Sequence, residues 1–244
     1  MTIEFYMNLT EIIKITSTFA EKLNHLTFSE PITHVYNPLV YAWEAHKIYL
    51  EKLGSGSKKV FFLGMNPGPW GMAQSGVPFG EIRMVSKWMN IRTKIGKPNN
   101  EHPKRPIEGF DCKKSEVSGR RLWGLMEKKF NSSDFFFAEH FVSNYCPLVF
   151  MEASGRNRTP DKLPKEEKNT LMNLCDHYLW DLVQSLQPRY LIGVGAYAEN
   201  CLQRNFSSEN FTIGKILHPS PASPLANIGW EEQATKKIKD LGIW

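Results

Sequence analysis

The sequence predicts an α/β protein built on a mostly parallel sheet, and three observations carry that expectation. Short apolar runs bounded by turn residues alternate with segments of helical periodicity, the pattern of strands joined by crossover helices. The 244 residues are 41% hydrophobic and 23% charged, enough to bury a sizeable core and too apolar for a disordered chain. Polar side chains capable of chemistry follow three of the four strand candidates, where ligands of such sheets bind.

The elements follow in chain order. Leu9, Ile12, Ile13, Phe19, Leu23 and Leu26 form an approximate helical stripe that stops before Pro31. Asn37-Pro38 reads as an N-cap with proline at the first helical position, opening a helix towards Leu53. Gly54-Ser55-Gly56-Ser57 breaks it. Val60 to Leu63 is a short apolar run between turn residues and is expected to be a buried strand. Phe135 to Val142 is the second strand candidate, Tyr190 to Val194 the third, and Lys215 to Leu217 a short fourth that ends at His218. Leu171, Leu174, Cys175, Tyr178, Leu182 and Leu186 mark a helix between the second and third strands. Further helices are expected from Ala196 and after Asn227 and Gly229. A single domain over 1–244 is expected, with 1–30 as an N-terminal helical extension.

Several function classes are disfavoured at this level. No apolar run approaches the roughly 18 residues of a membrane span, and Met1 to Thr10 lacks a basic segment followed by an apolar one. The triplets at Asn8, Asn131, Asn157, Asn205 and Asn210 are then chance matches to the N-x-S/T pattern. Cys112, Cys146, Cys175 and Cys201 include no C-x-x-C pair, so buried reduced thiols are expected rather than a metal centre. The 30 basic and 25 acidic residues leave a net charge of +5, compatible with a polyanionic partner without identifying one.

Two glycine-rich segments compete for attention. Gly193-Val194-Gly195-Ala196-Tyr197-Ala198 matches the G-x-G-x-x-A dinucleotide pattern, but the next strand ends in His218-Pro219 instead of an acidic residue. Tight packing of strand against helix explains these glycines better. The stretch Gly64-Met65-Asn66-Pro67-Gly68-Pro69-Trp70-Gly71 has no G-K-[ST], and the chain holds no G-x-S-x-G elbow. Its glycines and prolines hold one asparagine in place near a strand end. His218-Pro219-Ser220-Pro221 holds a histidine in the same manner.

These segments together resemble the single-strand-selective monofunctional uracil-DNA glycosylases. The long first signature, Gly64 to Pro69 and on through Gly71-Met72-Ala73-Gln74-Ser75-Gly76-Val77-Pro78-Phe79-Gly80-Glu81, is the most specific part. Asn144-Tyr145-Cys146-Pro147-Leu148 is similar to the family's base-reading segment. His218-Pro219-Ser220-Pro221 with Ala226-Asn227-x-Gly229-Trp230 resembles its last signature. Weaker likeness in Val35 to Pro38, Tyr41 to Trp43 and Ser115 to Arg120 extends coverage from about residue 30 to the end.

The resemblance implies a three-layer uracil-DNA-glycosylase fold, with a central, mostly parallel four-stranded sheet and helices on both faces. It implies hydrolysis of the N-glycosidic bond of uracil, 5-hydroxymethyluracil and 5-formyluracil in single- and double-stranded DNA. That reaction is the first step of base excision repair, and the resemblance implies a nuclear, monomeric enzyme without metal or organic cofactor. A mismatch-directed uracil/thymine glycosylase and a catalytically weak DNA-damage-binding protein are the alternatives.

By residue, the likeness gives Asn66 the positioning of water and His218 donation to uracil O2. Asparagine is no base near neutral pH, so water aimed at C1′ suffices only where the leaving group departs early, as in oxocarbenium-like displacements. Asn144 offers an amide donor and a carbonyl acceptor to the O4 and N3–H edge, the opposite of cytosine's pattern. Phe79 matches the position that stacks on the base, and Met65 and Gly68 match backbone positions lining the pocket, Gly68 leaving room near C5. Pro219, Ser220, Pro221 and Ala222 are expected to form a stiff DNA wedge. Ala222 stands where vertebrate relatives place an arginine, and Leu225 is either an apolar wedge or cover for the last helix. Arg120 and Arg121, near a family-like segment, are the basic residues assigned to phosphates, whereas Lys58-Lys59, Lys113-Lys114, Arg156, Arg158 and Lys236-Lys237 are left unassigned, since most charge runs are solvated faces.

Overall fold

A computed structural model describes residues 9–53 and 56–244. Asn8 and Gly54-Ser55 lie outside the described residues. Helix α1 (Leu9–Asn24) places Ile12, Phe19 and Leu23 on one buried face and packs along the long helix Lys165–Leu186. The Phe19 ring stacks on Tyr178 at 4.1 Å, and Thr16 shares a hydrogen bond with the Tyr178 hydroxyl. Residues 9–24 therefore contribute to the main core directly.

After β1 (His34–Tyr36), Asn37 caps the next helix as its side chain accepts the Leu39 N–H. The expected single helix is two pieces, α2 (Pro38–Tyr41) and α3 (Trp43–Glu51). Ala42 breaks it, leaving helical geometry at φ −112° while its N–H still bonds Pro38 O. Strand β2 (Val60–Gly64) is wholly buried. The first signature then forms α4 (Met72–Ser75) and a π-turn at Met84–Trp88. Helix α5 (Val117–Phe130) follows.

The aromatic run near Phe135 departs from expectation, being the helix α6 (Ser133–Glu139), and strand β3 begins only at His140 (His140–Asn144). Ser132 accepts the Asp134 N–H as an N-cap, and Asp134 sits in the first turn where the helix dipole favours it. Phe136 and Phe137 are buried while Phe135 is 70% exposed. A small antiparallel sheet not expected from sequence joins β1 to β4 (Val149–Met151) and β4 to β5 (Asn157–Arg158). Its strands have two or three residues, too few for a periodicity signal.

Helix α7 (Lys165–Leu186), strand β6 (Tyr190–Val194) and helix α8 (Ala196–Phe206) follow the expected order. Strand β7 (Thr212–Ile216) begins three residues before the expected start, and α9 (Trp230–Asp240) closes the chain. The central sheet runs β3-β2-β6-β7, with every pair parallel. Gly64 pairs with Asn144 and Val194 with Ile216, so the carboxyl ends of all four strands open on one side of the molecule. Among the described residues, no helix is long and apolar enough to cross a membrane.

Candidate active site

Three polar side chains meet at that edge. Asn144 is the last residue of β3, Asn66 lies two residues beyond β2, and His218 two beyond β7. The ladder continues past the strands, as the Tyr145 N–H donates to Gly64 O and the Cys146 N–H to Met65 O, both at 2.9 Å. Behind this turn, the Tyr145 hydroxyl donates to Asp176 Oδ1 at 2.8 Å, and Arg204 donates to both groups. Asn144 is thus buried on a fixed backbone, and its Nδ2 rests 3.4 Å from the Met72 thioether, a weak acceptor. A base carbonyl would replace that contact at little cost.

Gly64 explains how this edge stays open. A β-carbon there would collide with the Phe79 ring and stand 2.5 Å from Asn144 Oδ1. Phe79 is held at φ 54°, a left-handed conformation that costs a non-glycine residue about 1–3 kcal/mol. Its surroundings enforce it: Phe79 O accepts from Glu81 N–H, Pro78 O from Trp123 Nε1, and Gly80 O from the Ser75 hydroxyl. Gly119 presses so closely on the Phe79 carbonyl that any side chain there would clash. The strained backbone presents the ring beside Gly64, 6.1 Å from the His218 ring.

Asn66 is oriented by its amide, since Nδ2 donates to Leu148 O at 3.2 Å and to Pro67 O at 3.4 Å. That leaves Oδ1 as an acceptor. His218 receives the Ser220 N–H on Nδ1 at 3.1 Å, so the proton of the neutral ring is on Nε2. Burial holds its pKa below the usual 6.5, favouring that neutral form. Gly193 and Gly195 find their explanation here. A side chain at Gly193 would collide with Glu199 backbone, and a β-carbon at Gly195 would lie 3.0 Å from that of His218. The glycine pattern serves helix packing and leaves room for the histidine.

Three further side chains shape the site in ways the sequence does not reveal. Gln74 is fully buried and makes four hydrogen bonds: Nε2 donates to Pro69 O and Pro106 O, and Oε1 accepts from Glu108 and Gly109 N–H. Arg121, expected at phosphate, turns inward instead and donates to Pro219 O at 3.0 Å and Asn227 Oδ1 at 2.9 Å. Asn227 in turn donates to Pro221 O. The third, Glu116, has its Oε2 buried with no hydrogen-bond partner among the described residues. Buried polar partners of this kind leave no periodic or glycine-proline trace in the sequence.

The remaining placements divide the expected DNA contacts. Pro221 and Ala222 are exposed at the tip of the last loop, while Pro219 is buried and Ser220 half-buried. Leu225 is 60% exposed on a turn whose carbonyl accepts from Gln233 of α9, and Ile228, which the sequence does not single out, is 73% exposed. Arg120 is exposed and donates to the Ser115 hydroxyl. Several of the unassigned basic residues are engaged within the fold: Lys58 is buried on Leu53 O and Ala138 O, Lys59 bonds Ile243 O, Arg158 pairs with Glu152, and Lys236 with Asp240. Lys114 lies over the Trp70 ring at 4.0 Å and Arg105 at 5.2 Å, forming a cationic stack on the first-signature loop. Met65 and Gly68 are both half-buried within that loop.

Fold and site together define the class. The model of the uracil DNA glycosylase superfamily matches residues 51–237, a span holding Asn66, Asn144 and His218. The single-strand selective monofunctional uracil-DNA glycosylase of Rattus norvegicus is 45% identical over 224 residues, 91% of this chain and 81% of that protein. Its Bos taurus counterpart is 45% identical over 225 residues, 91% of this chain and 83% of that protein. A crystal structure of wild-type Pedobacter heparinus SMUG2 superposes with a TM-score of 0.68 at 17% identity, covering 95% of this chain and 97% of that one, a likeness of fold. The chain belongs to the single-strand selective monofunctional uracil-DNA glycosylase family.

Proposed function

We propose that the protein is a monofunctional uracil-DNA glycosylase that removes uracil and 5-modified uracils, 5-hydroxymethyl- and 5-formyluracil among them, from single- and double-stranded DNA. The observation that carries this reading is the convergence of Asn66, Asn144 and His218, with the Phe79 ring, at one sheet edge. As the glycosidic bond lengthens, negative charge grows on the leaving base and positive charge on the sugar. His218 Nε2–H donates to O2 from a fixed tautomer, and one preorganised donor of this kind is worth about 2.7–4 kcal/mol. Asn66 Oδ1 accepts from a water and aims it at C1′ once the base has largely departed. Asn144 offers its amide to O4 and N3–H, and Phe79 stacks on the ring. The target nucleotide must leave its stack, at a cost of a few kcal/mol that is least in single-stranded DNA.

Release of free uracil from a uracil-containing single strand tests the reading. Wild type is expected to release it, and Asn66→Ala and His218→Ala to be slower by about 10²–10³-fold in single-turnover rate. Absence of release by wild type refutes the enzyme reading. Release confined to G·U or G·T duplexes would point to a mismatch-directed enzyme instead.

A further inference from the structure

Glu116 is a carboxylate near the site that the reaction leaves unused, and three glycines approach it. A β-carbon on Gly68 would stand 3.2 Å from its Oε1, one on Gly119 3.2 Å from its Oε2, and one on Gly71 would collide with that oxygen. The carboxyl therefore fills the space that bare backbone at Gly68 and Gly71 leaves open. Its neighbours do not satisfy it. Glu81 is satisfied by the Ser115 hydroxyl at 3.0 Å and the Met84 N–H at 3.1 Å. Arg120 donates to Ser115, and no cation among the described residues pairs with Glu116. A buried carboxyl oxygen without a partner costs about 1–3 kcal/mol, so it calls for an explanation.

A base placed as the glycosylase reading requires supplies one. With His218 on O2, Asn144 on N3–H and O4, and Asn66 at C1′, the free edge of the pyrimidine is C5–C6. The segment that continues from Asn66 along this edge is Pro67-Gly68. A substituent at C5 would pass the bare Gly68 and meet the Glu116 carboxyl. Resting on the glycosylase reading, we propose that Glu116 reads the C5 position of the target base, accepting a polar substituent and rejecting the methyl of thymine. DNA holds thymine in vast excess over uracil, so an open C5 pocket needs a means of refusing it.

A carboxylic acid suits the task. Burial, and then the charge of Glu81, push the Glu116 pKa up to about 7, so the acid form persists towards neutrality. That form donates to a formyl oxygen, and donates to or accepts from a hydroxymethyl group. Against a hydrogen at C5 a water fits. A methyl would displace the water and leave the carboxyl unpaired, the situation in which a polar site discriminates most strongly.

Single-turnover release from single strands carrying uracil, 5-hydroxymethyluracil, 5-formyluracil or thymine tests this, each rate divided by that for uracil in the same variant. Glu116→Leu is expected to lower the 5-hydroxymethyl and 5-formyl ratios at least about tenfold and to raise the thymine ratio by a similar factor. Glu116→Gln keeps a donor and an acceptor, so its 5-hydroxymethyl ratio should stay within about threefold of wild type. The wild-type 5-formyl to uracil ratio should fall between about pH 6 and about pH 8, a fall that Glu116→Gln removes. This pH test stands even where Glu116→Leu fails to fold. Ratios indifferent to residue 116 and to pH overturn the inference while leaving the glycosylase reading intact, as does a uniform loss on every base. A wild type that releases none of the four bases ends both.

Discussion

At the scale of single residues, burial sets the protonation of two groups in the candidate site. His218 is held neutral, its pKa lowered by desolvation and its Nδ1 occupied by the Ser220 N–H. Glu116 carries the opposite consequence for stability. Its folded-state pKa of about 7 lies above the 4.5 of an unfolded glutamate. The unfolded chain therefore gives up this proton first as pH rises, and folding stability falls between about pH 4.5 and about pH 7. Glu116→Gln should remove that loss, gaining about 1–3 kcal/mol at pH 8 and little at pH 4.5, as read by urea unfolding at the two pH values. Wild type and variant showing the same pH slope would contradict it. Asn66, Asn144 and His218 are legible in the sequence because strand ends, glycines and prolines mark them. Glu116 and Gln74 are not, since their meaning lies in which backbone they touch across the fold.

At the scale of elements, local signals decide what can be read. Strands β2 and β6 are fully buried apolar runs and match their expected positions within a residue. The Phe135–Phe137 run misleads because three aromatics in a row fit a buried strand as well as a helical turn, and the Ser132 cap decides between them. The last loop shows the same division: its prolines announce stiffness, but nothing in the chain's local pattern signals that Arg121 on α5 holds it. Trp230 Nε1 adds a bond to Leu217 O at 2.7 Å, and Gln233 holds the Leu225 and Ile228 carbonyls. Arg121→Ala should therefore slow uracil release from duplex DNA at least about fivefold more than from single strands, because only the duplex needs a rigid wedge. Its salt dependence should match wild type. A salt slope shallower by about 0.9 with equal losses on both substrates would instead make Arg121 a phosphate contact.

At the scale of the whole molecule, the +5 charge is not spread evenly over function. Much of the basic complement is tied up in ion pairs such as Arg83–Glu127, Arg204–Asp176 and Lys128–Glu231. The Trp70 stack of Lys114 and Arg105, with exposed Lys113 and Arg120 nearby in sequence, is the basic group adjoining the first-signature loop. Replacing Lys113 and Lys114 by glutamine should weaken single-strand binding and flatten its log–log salt slope by about 0.7 for each phosphate that is no longer neutralised. An unchanged slope would remove this face from the DNA path. Parallel strand order is legible from alternating elements, whereas the β1-β4-β5 sheet is hidden by strands of two or three residues.

The anchoring of the last loop at Arg121, Asn227 and Trp230 bears on when conformational entropy is lost. A free loop of a dozen residues would have to be immobilised at each encounter with a strand, subtracting from every binding event. Here that loss is incurred once, as the chain folds. On the proposed reading, what would remain variable during a search along DNA is the ease with which a given base step opens, so the dwell time at a site would report the weakness of the nucleic acid instead of a rearrangement of the protein.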